Sequence, residues 1–294
     1  AGLRVTSLTC EHQINPSALH AEIPRLSWRL ESSERGKRQQ AYRILAAGSM
    51  QALARNEGDL WDTGKKASAS NRLVFYNAQE ELTRGQQVFW KVQVWDEQDK
   101  KSPWSNAAHF TMGLPAKEDW AGDWISFEDQ SSLLGNPAEL SLPAPRYYRK
   151  SFHSGAKVVK ARLHASALGV LEIYLNGNRI GDSLMEPGWS DFPKRANYVS
   201  HDVGSLMVEG ANCIGAVVAD GWYAGYLGVA KRKRMGPSGI GRNIYGKTPA
   251  LLLRLQVEYE DGTSQIVTTN PTWKVATGPE YEADPLLGEA YDAA

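Results

Sequence analysis

The stretch QVFWKVQVWDEQ (Gln87–Gln98) sets Val88, Trp90, Val92 and Val94 on one parity and Phe89, Lys91, Gln93 and Trp95 on the other. Successive side chains of a strand point to opposite faces. A period of two sustained this long therefore marks an antiparallel sheet with one buried face, and it does not fit the helical period. Shorter runs of the same kind surround it. RLSWRLES (Arg25–Ser32), AYRILAAG (Ala41–Gly48), RLVFY (Arg72–Tyr76) and AAHFTMG (Ala107–Gly113) read as strands separated by Pro, Gly and Asn turns. SMQALARN (Ser49–Asn56) is a short helical candidate. This cadence over residues 1–115 predicts an immunoglobulin or fibronectin type III sandwich.

GLPAKEDWAGDW (Gly113–Trp124) and QSSLLGNPAELSLPAP (Gln130–Pro145) break the pattern, and residues 116–145 read as a linker or lead-in. From Arg146 strands resume with RYYRKSFHS, VVKARLHASA, LEIYLNGNRI, ANYVSHDV, ANCIGAVVAD, TPALLLRLQVEYEDG, SQIVTTN and WKVAT. Asn-Gly in YLNGNRIG and Asp-Gly in EYEDGTSQIV mark hairpins, because both residue types tolerate positive φ. Residues 146–294 are thus expected to form a second β-sandwich of jelly-roll type. The fold class that follows is all-β, with two β-sandwich domains in tandem. The long connection Trp222–Thr248 reads as a surface loop.

Charge narrows the functional classes. With 33 basic and 33 acidic residues among 294, the chain has no net pull toward nucleic acid or an anionic membrane. KRKR (Lys231–Arg234) reads as a solvated loop or an interdomain contact, so no nucleic-acid partner is expected. Apolar runs such as ALLLRLQV from Ala250 are interrupted by charge and too short to span a bilayer, so no membrane insertion is expected. Cys10 and Cys213 lie far apart in strand-like segments and read as two buried free thiols rather than a disulfide. CxxC spacing, HExxH, GxSxG and a P-loop are absent. AGLRVTSLTC lacks the charged start and apolar core of a signal peptide. The 10 Trp and 12 Tyr suit both sandwich cores and carbohydrate-facing surfaces. The histidines are scattered, with His164 and His201 on expected strands as ordinary polar-face residues.

YLNGNRIGDSLMEPGWSDFPKRANYVSHDV, followed by GANCIGAVVADGWYAG, resembles the N-terminal β-sandwich of bacterial α-L-rhamnosidases, glycoside hydrolase family 78. CEHQINPSALHAEIPRLSWRL, QQAYRILAAG, LWDTGK and FWKVQVWDEQDKKSPWS resemble the fibronectin type III-like module that opens many of these enzymes. GEAYDAA resembles the segment that closes the sandwich. The match covers nearly the whole chain in the family's order. It implies an inverting hydrolysis in a downstream (α/α)6 barrel, where one carboxylic acid protonates the leaving oxygen and a carboxylate activates water. No catalytic residue is then expected in these residues, whose acids Glu172, Asp182, Glu186, Asp191 and Asp220 are spread over strands and loops. The implied partners are a rhamnose-containing carbohydrate and the catalytic domain of the same polypeptide. Family habit favours the periplasm or secretion.

The loop EPGWSDFPKRANY (Glu186–Tyr198) and the segment DGWYAG (Asp220–Gly225) carry the candidate sugar site. Trp189 or Trp222, with Tyr223 beside it, would stack on the apolar face of a deoxyhexose. Asp191, Asn197 or Asp220 would exchange hydrogen bonds with its hydroxyls, and a methylpentose suits such a mixture of apolar wall and fixed polar groups. The alternative is structural: Pro187-Gly188 as a turn, Trp189 plugging the sandwich end, Asp191 in an Asx-turn, and Trp222 and Tyr223 covering a corner. Some family members bind L-rhamnose with the help of calcium, held by acidic and amide residues just before the YLNG-type strand. Here that place holds SALGVLE (Ser166–Glu172), whose Leu168, Gly169 and Val170 offer only carbonyls. No metal site and no cofactor are expected.

Overall fold

A computed structural model describes residues 2–114, 117–128, 142–227 and 242–293. The chain divides into two units, Ala1–Asp119 and Trp120–Ala294.

The first unit is a sandwich of two antiparallel sheets. One pairs β1 (Arg4–Cys10) with β2 (Arg25–Glu31), which also pairs with the short β6 (Val74–Phe75). The other runs β4-β3-β7-β8, with β5 on the flank of β3; these are β3 (Gln39–Ala47), β4 (Trp61–Asp62), β5 (Lys66–Ala67), β7 (Gln87–Asp96) and β8 (Ala108–Thr111). The alternation in β7 sets the core: Val88, Trp90, Val92 and Val94 are each 0% exposed. They pack with Trp28, Tyr42, Ile44 and Phe110 between the sheets.

The opposite face of β7, which mixes Phe89 and Trp95 with Lys91 and Gln93, is also partly covered. Helix α1 (Met50–Ala54) lays Ala52 and Leu53 beside Leu45 and Ala47, with Phe89 and Trp104 packed against them. Lys91 is buried there and stays charged-compatible by donating to Leu53 O at 2.6 Å and Asn56 Oδ1 at 2.7 Å, over the Trp104 ring at 5.1 Å. One turn of helix is marginal alone, so its start matters: Ser49 Oγ accepts from Ala52 N at 3.1 Å. Ser49→Ala should cost about 1 kcal/mol, measured as a lower urea midpoint; an unchanged midpoint would show that packing alone holds α1.

The second unit is a larger sandwich. One sheet runs β13-β12-β15-β10-β18, built from β10 (Arg146–Ser154), β12 (Val170–Leu175), β13 (Asn178–Arg179), β15 (Gly210–Ala219) and β18 (Lys274–Thr277). The other runs β14-β11-β16-β17, with β9 (Ile125–Ser126) also on β16. Its strands are β11 (Val158–Leu168), β14 (Tyr198–Asp202), β16 (Ala250–Tyr259) and β17 (Ser264–Thr268). A hairpin of β19 (Glu280–Asp284) and β20 (Gly288–Tyr291) completes the unit, and α2 (Gly221–Ala224) follows β15. The chain changes sheet at almost every step, the winding of a jelly roll.

Leu163, Leu171, Ile173, Leu175, Ile214, Val218, Leu253 and Leu255 fill the space between the sheets. Asn176 and Gly177 both hold positive φ between the paired Leu175 and Asn178, the two-residue turn that Asn-Gly demands. Gly169 carries the chain from β11 to β12 in one residue at φ +147, where a Cβ would lie 2.3 Å from Ala219 O. Only glycine fits that crossing.

Two expectations need adjustment. The stretch 116–145, expected as a linker or lead-in, contributes structure to the second unit in its described part, where β9 pairs with β16 and Trp120 is buried. Both cysteines are free, but only Cys10 is buried; Cys213 faces outward on β15 and is half-buried. KRKR lies outside the described residues. Among the described residues no helix is long and apolar enough to cross a membrane.

Candidate functional site

The two segments singled out above meet in space. Trp189, in the loop after β13, stacks on Trp222 of α2 with centroids 5.5 Å apart and planes 20° apart. Its Nε1 donates to Tyr245 OH at 3.2 Å. Phe192 meets the rings of Tyr223 at 5.3 Å and Tyr245 at 5.2 Å. Five aromatic side chains from three separate segments thus form one cluster. Trp189 is 52% exposed, so it does not plug the sandwich end; one face of its indole is buried on Trp222 and the remainder is available.

The loop is held by its own backbone. Leu171 N donates to Glu186 O at 2.7 Å, which ties the loop to β12. Ser166 Oγ donates to Asn197 O at 2.7 Å, and Asn197 Nδ2 donates to Trp189 O at 3.3 Å. The Asp191 carbonyl accepts from Lys194 N at 2.8 Å and Arg195 N at 3.0 Å. Its carboxylate pairs instead with Lys194 Nζ at 2.8 Å, both exposed, so this ion pair adds little stability. Asp191 is therefore at the surface beside Trp189, while Asn197 is half-buried and committed to the loop.

Asp220 is placed differently from the other candidates. It is 2% exposed, and its carboxylate accepts from Arg146 Nη1 at 2.9 Å and from Arg242 Nη2. Burial pushes its carboxyl up, and the two guanidiniums pull against that. It cannot meet a sugar hydroxyl from there; it anchors α2, which carries Trp222 and Tyr223. Arg242 Nε also donates to Ala224 O at 3.3 Å at the far end of the same turn. A buried carboxylate held by arginines 74 and 22 positions away leaves no local signal in sequence.

The same unit holds a cleft of about 290 Å³ bounded by β12, β15 and the β19–β20 hairpin. Val170, Val217 and Ala219 form its apolar floor, and Met185 and Gly221, which precede the two aromatic segments in the chain, also line it. Its acids are Glu172, Glu280, Asp284 and Glu289. Asp284 is turned inward, accepting from Tyr226 N at 3.0 Å, Leu286 N at 2.9 Å and Leu287 N at 3.2 Å. Glu172 was among the acids noted in the sequence; Glu280 and Glu289, like Phe192, Tyr245, Arg146 and Arg242, were not.

Calcium does not fit the segment before β12. Ser166 spends its hydroxyl on Asn197 O, and the backbone of Ser166–Leu168 and Val170–Glu172 lies in the ladders with β16 and β15. Six to eight oxygen ligands are not at hand.

A family model described as Alpha-L-rhamnosidase N-terminal domain matches residues 156–294. Another, described as Rha78A-like, N-terminal immunoglobulin domain, matches residues 5–116. An α-L-rhamnosidase of Alteromonas sp. (strain LOR) is 35% identical over 282 residues, which are 95% of this chain and 29% of that protein. The chain belongs to the N-terminal region of the α-L-rhamnosidase family. The structure of the α-L-rhamnosidase from Dictyoglumus thermophilum is 32% identical with a TM-score of 0.82, covering 98% of this chain and 31% of that one. The Streptomyces avermitilis α-L-rhamnosidase complexed with L-rhamnose is 27% identical with a TM-score of 0.84, covering 99% and 43%. The chain thus spans less than half the length of the α-L-rhamnosidases it matches. The aromatic cluster and the cleft's hairpin both fall within the α-L-rhamnosidase N-terminal domain match.

Proposed function

We propose that the whole protein is an α-L-rhamnosidase that removes terminal α-L-rhamnose from glycans or glycosides. Residues 1–294 form its accessory region, two sandwiches that scaffold the hydrolytic domain and shape access to it. The observation that carries this reading is 35% identity across 95% of the chain to a relative of which it is 29%. Inverting hydrolysis needs a carboxylic acid and a carboxylate free to act on opposite sides of the bond, with room for water between. Three of the acids noted in the sequence have basic neighbours: Asp220 is held by two arginines, Asp191 pairs with Lys194, and Glu186 lies 3.6 Å from His201 Nε2. The whole protein is expected to release rhamnose from p-nitrophenyl α-L-rhamnopyranoside with inversion, followed by NMR, and residues 1–294 alone are not. Inactivity of the whole protein would sink the enzyme reading; activity of residues 1–294 alone would sink the placement of catalysis.

A second reading, sugar binding by the region itself, is favoured by the exposed Trp189 stacked on Trp222. A ligand that binds only the native state raises apparent stability, by about 2.7 kcal/mol at a hundredfold excess over Kd. L-rhamnose is therefore expected to raise the Tm and change tryptophan emission, with galactose as control. Trp189→Ala and Trp222→Ala should each abolish the response. A response that survives both substitutions would place the sugar elsewhere.

A further inference from the structure

The cleft of the second unit has a chemistry of its own. Its floor is made by outward-facing residues of β12 and β15, where Val217 sits between Tyr147 and Glu172 in register. Small side chains there leave a shallow apolar surface suited to the C–H face of a pyranose ring. Two of its rim carboxylates, Glu172 and Glu280, have polar neighbours that hold them in place. Tyr174 OH donates to Glu172 Oε2 at 2.7 Å, and Arg179 Nη2 lies 3.5 Å from Glu172 Oε1. Tyr147 stands against Glu280; burial, with that charge added, pushes its phenol up to about 12, so it remains a proton donor. Among the described residues lining the cleft there is no Lys, Arg or His. The guanidinium of Arg179 lies on Glu172.

We propose that this cleft, whose lining residues Met185 and Gly221 lead along the chain into the segments that carry Trp189 and Trp222, is a second sugar subsite that takes an uncharged or ammonium-bearing sugar residue and rejects a uronate. Fixed carboxylates accept hydrogen bonds from hydroxyl or ammonium groups, and charge-assisted bonds are the stronger kind. A sugar carboxylate placed on the same floor faces Glu172, Glu280 and Glu289, and the described lining residues include no cation to receive it. Like charges juxtaposed in a partly dry cleft discriminate by tenfold or more, roughly. The proposal rests on the reading of the aromatic cluster as a sugar surface and extends it from one residue to two of defined charge.

The test uses the chain with ¹³C-methyl-labelled valine and alanine, so that Val170, Val217 and Ala219 report on the cleft directly. D-glucose, D-glucuronate and D-glucosamine differ at the positions that set their charge and are titrated in turn, with L-rhamnose as a reporter of the Trp189 surface. Glucose and glucosamine are expected to shift these methyls. Glucuronate should bind about tenfold or more weakly at low salt, with the gap narrowing as salt screens the rim. Glu172→Gln with Glu280→Gln should bring glucuronate to within about threefold of glucose, since each removes one repelling charge. Equal binding of glucuronate, or methyls unmoved by all three sugars while rhamnose still responds to Trp189→Ala, would overturn the subsite alone. Silence toward every sugar would overturn the sugar-surface reading and this one with it.

Discussion

Replacing Asp220 with alanine is expected to destabilise the second unit by roughly 3–5 kcal/mol, read as a fall in the urea midpoint. Its two partners, Arg146 and Arg242, are themselves buried, so the variant strips both guanidiniums of the carboxylate they share. The damage is local before it is global. Asp220 stands before α2 and Arg242 closes its other end at Ala224 O, so Trp222 should slip from Trp189 and the stacked pair's signature should fade at denaturant concentrations below the main transition. Asp220→Asn keeps the shape and one acceptor, and should cost less. The exposed Asp182→Ala serves as a reference. If Asp220→Ala falls no further than Asp182→Ala, the triad contributes no more than a surface carboxylate.

The second large effect is on acid stability. His164, on β11, is 2% exposed, and its Nδ1 lies 2.9 Å from Ser200 Oγ. Burial pushes its imidazole down to about 3, and the charges of Arg162, Arg254 and His201 add to that. The rings of Trp120 and Tyr198 meet its edge and supply no anion to hold a proton on it. The unfolded chain binds the proton near pH 6.5 while the folded one stays neutral, so this contribution is complete above pH 6.5 and is lost as pH falls toward 3. The slope approaches about 1.4 kcal/mol per pH unit. His164→Asn should flatten the stability profile between those limits while lowering stability at pH 7. An unchanged slope would mean that other groups govern the acid transition.

Strands and turns were largely legible because their causes are local. The parity of Val88, Trp90, Val92 and Val94 fixes a buried face with no help from elsewhere, and Asn176-Gly177 supplies the positive φ that its turn requires. The Trp189–Trp222 meeting was legible only in part. Both residues stood out, but their stacking depends on a loop and a helical turn 33 positions apart being brought to one end of the sandwich. Asp220 shows where local reasoning ends. An aspartate in a Gly-Trp-Tyr loop looks like a surface acceptor, and what buries it are arginines from β10 and from the far side of a long connection. The cleft was hidden for the same reason: Glu172 and Glu280 share it only because the last hairpin folds back onto the face of β12 and β15.

The winding of the second unit also dictates an order of events during synthesis. In its first sheet β10 lies between β15 and β18, with Arg146 in register with Val218 on one side and Thr277 on the other. Its opening strand therefore has no neighbour in this sheet until β15 is made, its first pairing joining Ser154 to Gly210, since loop closure must precede non-local pairing. For that interval β10 is a nascent edge with Tyr147 and Tyr148 uncovered, the kind of segment that chaperones engage. The first unit closes earlier, because β3, β7 and β8 complete its sheet by Thr111. Translation thus delivers a finished sandwich ahead of one that waits for nearly its last strand.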